Sequence, residues 1–213
     1  MPRAPVKVIE ALTDEEIEQL FSSLDVNVDV GCRNAALLML FLDTGLRSSE
    51  LLGLQLEDVH LEEQWLKVMG KGQKERIVPF GAKATRLLQR YVTIFRPSTM
   101  IGNQFFPCVD GSPLGENAIR IMFSRLGERA GVPRLHIHLL RHTFATRYLL
   151  NGGDAFSLQQ LLGHTTLEMT RKYTDMVALE KAVKRRKPSP MDSTDAAKTS
   201  YGRGRQKWAQ TRS

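Results

Sequence analysis

"HLLRHTFATRYLLNGG", residues 138–153, is the stretch on which the reading of this chain turns. Its first five positions hold His138, Arg141 and His142, its remainder is mostly apolar, and "NGG" stops it. That pattern predicts a helix over 138–151 with a loop at 151–154. On a helix, positions i and i+3 share a face, so His138 and Arg141 point the same way while His142 points elsewhere. One imidazole and one guanidinium can jointly approach an anion, with Phe144, Tyr148 and Leu149 anchoring the helix beneath them. As a segment alone it reads first as polar residues satisfied at a helix start.

Working outward, helical patterning dominates. "TDEEIEQLF" begins with Thr13 three residues before Glu16, a capping-box spacing, and crowds acids where the helix dipole favours them. "CRNAALLMLFLDTG" is a buried-looking helix stopped by Gly45, and "RSSELLGL" starts a short new one at Arg47. Further helices are expected at 82–95, 114–130, 155–162 and about 166–187. Between 59 and 80 the texture changes: "WLKVM" and "RIVPF" are β-type runs around the glycine-rich turn "GKGQK". The expected fold is therefore α+β, mainly α-helical, with a small antiparallel sheet or hairpin at about 59–80. From Pro188 apolar residues become sparse, which predicts a disordered basic tail over 188–213.

Composition narrows the function classes. The chain of 213 residues has room for one sizeable domain plus an appendage. Its longest apolar run, "AALLMLFL", falls far short of the roughly 20 residues a membrane-spanning helix needs. Cys32 and Cys108 form neither a metal-type pair nor a disulfide framework, which predicts a reducing cytoplasm. The net charge of +7 is unevenly placed: residues 181–213 hold ten Lys and Arg against two acids, and 67–147 fourteen against four, whereas 1–30 hold two against seven. A basic middle and tail suit a polyanionic partner, though a solvated surface has the same composition.

Three familiar chemistries fail on residue type. A zinc protease needs a glutamate directly after the first of two histidines spaced i, i+4, and Leu139 stands there. "GKGQKE" lacks the hydroxyl of a phosphate-binding loop and lies in a hairpin. No serine sits on a strand-to-helix elbow flanked by glycines.

A fourth set, spread along the chain, fits better. "TGLRSSELLGL" carries Arg47 and Glu50, "GKGQKERIVPF" carries Lys71, "HLLRHTFATRYLLNGG" carries His138 and Arg141, and "LLGHTTLEMTRKYTD" carries His164 and Tyr173. These four ordered blocks, covering about 40–180, resemble the tyrosine recombinases, the phage integrase and Xer-type family, over their catalytic domain. The resemblance implies site-specific cleavage and rejoining of double-stranded DNA through a 3′-phosphotyrosyl intermediate, with neither metal nor nucleotide cofactor. It implies Tyr173 as nucleophile, His138 as proton acceptor, Arg47 and Arg141 as bidentate phosphate forks, His164 as a further donor and Lys71 as the acid that protonates the leaving oxygen. Glu50 is expected to orient an arginine. Lys74, Arg76, Arg120 and Arg125 are expected to contact DNA phosphates.

The same resemblance makes 1–187 the catalytic domain. "ALEKAVKRRK" then matches the C-terminal helix that docks on a neighbouring protomer in a tetramer on synapsed DNA, with a monomer in its absence. The family's N-terminal DNA-clamping domain is expected to be absent, because the residues before Thr13 are too few to form it. Two other activities use the same residues: a DNA-binding regulator or remnant that keeps the fold without turnover, and a relaxing enzyme like the type IB topoisomerases.

Overall fold

The structure is a computed structural model, and it describes residues 10–70, 74–97, 102–164 and 166–184. Its contacts divide the chain into two units, Met1–Asp175 and Met176–Ser213. The first unit contains every side chain considered below.

Helix α1 (Asp14–Ser22) opens with the reciprocal capping box expected from Thr13 and Glu16: each side chain accepts a hydrogen bond from the other residue's backbone amide, at 3.2 and 2.9 Å. Helix α2 (Asp29–Thr44) is the central element. Leu37, Leu38, Leu40 and Phe41 are all fully buried along it, each contributing roughly 1.5–3 kcal/mol of transfer free energy. Phe41 meets Phe123 edge to face with ring centroids 5.6 Å apart. At its end Gly45 adopts φ 62°, a left-handed turn that an L side chain enters at a cost, and the chain reverses into α3 (Ser48–Leu52).

Between 59 and 80 stands a three-stranded antiparallel sheet in the order β1 (Val59–His60), β2 (Trp65–Met69), β3 (Glu75–Pro79). Leu66 pairs with Val78 and Val68 with Arg76. Alternation along β3 puts Arg76 on the inward face with buried Val78 and leaves Ile77 outward, 62% exposed. The segment expected to be one helix at 82–95 is α4 (Ala82–Arg90) continued by a π-turn over Tyr91–Phe95.

Helix α5 (Glu116–Arg129) buries Ile119, Phe123 and Leu126. Helix α6 (Ile137–Leu150) packs along α2, starts one residue earlier than its sequence pattern suggested, and takes His136 as N-cap. Helix α7 (Ala155–Leu162) is capped by Asp154, whose carboxylate accepts from the amides of Phe156 and Ser157, and closes on Gly163 at φ 62°. Helix α8 runs Leu167–Lys184. The expected tail at 188–213 lies outside the described residues. Among the described residues, no helix is long and apolar enough to cross a membrane.

Candidate active site

Three element ends converge on the carboxyl end of α7: the start of α3, the inward face of β3 and the first half of α6. Helix C-termini expose unpaired carbonyls and carry partial negative charge, which suits cations. Here three successive carbonyls each receive a guanidinium. Leu161 O accepts from Arg76 Nε at 3.0 Å, Leu162 O from Arg141 Nη2 at 2.8 Å and Gly163 O from Arg47 Nη2 at 3.0 Å. Arg141 also donates through Nη1 to Gly45 O at 2.7 Å, so the left-handed turn after α2 supplies the second support of its fork.

One carboxylate sits among these charges. Glu50, with a side chain only 4% exposed, accepts from Arg47 Nη1 at 2.8 Å, from the Arg47 amide at 2.9 Å, and from Arg76 Nη1 and Nη2 at 2.8 and 2.9 Å. Burial by itself would push this carboxyl up; the hydrogen bonds from Arg76 and Arg47 outweigh it and hold its pKa below the ordinary range. Arg141 is pushed down to about 10, by burial first and then by Arg47, and so keeps its charge at neutral pH.

His164 follows Gly163 directly. Its Nδ1 lies 2.9 Å from Oγ1 of fully buried Thr170 on α8. Burial, then the charges of Arg141, Arg47 and Arg76, lower its pKa from 6.5 to about 4, so the free site holds a neutral imidazole at pH 7. The Tyr173 ring lies almost parallel to that of His164 with centroids 6.3 Å apart, and 5.4 Å from the ring of His142. Burial raises the phenol's pKa and the nearby Arg141 opposes the rise.

The structure thus brings together Arg47, Arg141, His164 and Tyr173, with Glu50 beneath them. His138 is exposed on the opening turn of α6, one turn before Arg141. Lys71 lies outside the described residues. Lys74, Arg120 and Arg125 are exposed. Arg76, expected as a phosphate contact, is instead turned inward by strand parity: its side chain is 15% exposed and each of its nitrogens donates to Glu50 or to Leu161 O. His142, Thr170 and Gly163 were missed. For His142 the helical-face argument pointed away from the site; for Gly163, the "LLG" stop was the available signal. The basic run 67–147 is also not one charged face: Arg96 is bound to Gln104 O, Arg134 to Glu16 and Arg147 to Asp14.

Two forked cations fixed on adjacent carbonyls, beside a neutral imidazole and a phenol, suit a tetrahedral oxyanion next to a hydroxyl. Comparison with known proteins agrees with that class. The model of the phage integrase family matches residues 10–179. Tyrosine recombinase XerC of Staphylococcus carnosus (strain TM300) is 38% identical over 163 residues, 76% of this chain and 55% of that protein. Tyrosine recombinase XerD of Halalkalibacterium halodurans is 37% identical over 178 residues, 82% of this chain and 60% of that protein. The crystal structure of XerA recombinase superposes with a TM-score of 0.74 at 28% identity, covering 89% of this chain and 68% of that one. XerH site-specific recombinase, bound to palindromic difH substrate in a post-cleavage complex, superposes with a TM-score of 0.72 at 30% identity, covering 84% and 54%. The chain belongs to the phage integrase family. It spans a little over half the length of the curated relatives it matches.

Proposed function

We propose that this chain carries the catalytic centre of a site-specific DNA recombinase that cuts and rejoins strands through a covalent tyrosine link. The observation that carries the reading is the pair of arginines, Arg141 and Arg47, seated on the successive carbonyls of Leu162 and Gly163 beside the Tyr173 phenol. A backbone phosphate held by both forks brings its phosphorus to the phenol. The Tyr173 hydroxyl oxygen attacks phosphorus, its proton passes to His138, and the bond from phosphorus to the 5′-oxygen breaks. Lys71 protonates that leaving oxygen. One phosphodiester is exchanged for another, so the reverse attack by the 5′-hydroxyl reseals a strand without external energy.

The extra negative charge at the five-coordinate phosphorus is met by groups already fixed before substrate arrives, which is the costlier part of electrostatic catalysis. Taken as the donor to Nδ1, 2.9 Å away, the Thr170 hydroxyl leaves the His164 hydrogen on Nε2, available to a phosphate oxygen. The partner is double-stranded DNA, positioned by Lys74, Arg120 and Arg125 through its phosphates, and two duplexes are synapsed by a tetramer in which the segment after Tyr173 docks on a neighbour.

The test is a nicked suicide duplex carrying the cognate site, resolved on a denaturing gel with wild type and Tyr173→Phe. A protein–DNA adduct with wild type alone supports the reading; no adduct at any salt concentration leaves a DNA-binding protein without turnover. Relaxation of a supercoiled plasmid lacking the site would move the reading to a topoisomerase.

A further inference from the structure

Arg76 holds three protein acceptors at this site, one with each of its nitrogens. Its Nε holds Leu161 O at 3.0 Å, while Nη1 and Nη2 hold the two oxygens of Glu50 at 2.8 and 2.9 Å. Oε1 of Glu50 is shared with Arg47 Nη1, and Oε2 accepts the Arg47 amide. Both supports of the Arg47 fork, the Glu50 carboxylate and the carboxyl end of α7, are therefore also held by Arg76. Gly163 sits against the same pair: a Cβ there would lie 3.0 Å from Nη1 of Arg76 and 3.4 Å from Nη1 of Arg47. Arg76 does this from β3, the strand that follows Lys71 in sequence.

We propose that Arg76 is a positioning residue: it sets the pose of Arg47 through Glu50 and through α7, and ties the sheet to the phosphate clamp without touching DNA. The inference rests on the reading of the site as a phosphodiester-cleaving centre. A guanidinium is required because three acceptors at fixed angles must be met at once; the single nitrogen of a lysine cannot meet them, and a neutral amide leaves the carboxylate half unpaired. Glu50 is faced by Arg47 from the start of α3, by Arg76 from β3 and, through space, by Arg141 from α6. Without Arg76, burial at Glu50 is opposed only by Arg47 and the carboxyl takes up a proton at a higher pH than in wild type, which loosens Arg47.

The experiment is single-turnover cleavage of the nicked duplex at saturating protein, from pH 5 to 8, for wild type, Arg76→Lys, Arg76→Gln, Glu50→Gln and the double variant Glu50→Gln/Arg76→Gln. Thermal melting establishes that each is folded, and Arg76→Lys carries the test if Arg76→Gln melts below the assay temperature. Both Arg76 variants are expected to cleave about 100-fold more slowly, the scale of a fork displaced by about an ångström, with DNA affinity and its salt dependence unchanged. Arg76→Gln should also lose rate toward low pH more steeply than wild type and the double variant do, and the double variant should be no slower than Arg76→Gln. Wild-type rates in the Arg76 variants, or a loss confined to affinity with a shallower salt slope, would overturn the inference alone. A wild type that forms no adduct overturns the underlying reading, and the inference with it.

Discussion

Arg141 shows why residue type matters more than charge at this site. Its two terminal nitrogens reach carbonyls on different elements, Gly45 after α2 and Leu162 at the end of α7, and the residue is buried. Arg141→Lys keeps the charge and loses one of the two bonds, so cleavage should fall at least about 100-fold while DNA affinity changes little, measured by single-turnover rate against a filter-binding isotherm. His164 makes a prediction in pH. Its folded pKa is depressed to about 4, whereas the unfolded side chain titrates near 6.5. Across that window the unfolded state binds the extra proton, so stability rises with pH; the contribution is whole above about 6.5 and lost as pH falls toward 4. The melting temperature of wild type should therefore drop over this interval more steeply than that of His164→Gln, and parallel curves would refute the assignment. Arg47, Arg141, His164 and Tyr173 were legible because their types and order match a known pattern. Arg76 and Thr170 were not, because an arginine in a strand and a threonine in a helix are ordinary until their partners are known.

Helix ends are where this protein concentrates its chemistry, and α7 is the clearest case. Its last carbonyls bind three arginines because Gly163 turns left-handed and leaves them open. Gly163→Ala meets both the left-handed penalty of roughly 1–2 kcal/mol and a crowded contact with Arg76 and Arg47. A lowered urea midpoint together with a cleavage rate reduced about tenfold or more is the expected outcome. The capping box of α1 provides a contrasting element: Thr13→Ala should cost about 1 kcal/mol in urea unfolding and leave single-turnover cleavage unchanged, since none of the site's side chains leans on it. Most helices were readable from apolar spacing and glycine stops, and the sheet from its β-type runs. What escaped was strand parity: in "ERIVP" the inward position of Val78 carries Arg76 with it, an inference available from alternation once the buried face is known.

For the whole molecule, charge is the property most easily misread from sequence. The run 67–147 holds fourteen basic residues, yet several of them tie segments together: Arg134 to Glu16 and the carbonyls of Glu10 and Ala11, Arg90 to Asn27. DNA binding should accordingly depend on fewer cations than composition suggests. Replacing Lys74, Arg120 or Arg125 by alanine should each reduce the slope of log Kd against log salt by about one, with melting temperature unchanged, as read by fluorescence anisotropy on a labelled duplex. Arg134→Ala should do the reverse, lowering the melting temperature and sparing the slope. Sequence alone determined the helix-rich α+β architecture and the family, because periodicity, caps and chemical type are local properties. Only the tertiary structure decided that Arg47, Arg76 and Arg141 meet at the end of α7, the first two of them on Glu50, because a buried charge must find its partners across the fold, at separations that no local pattern encodes.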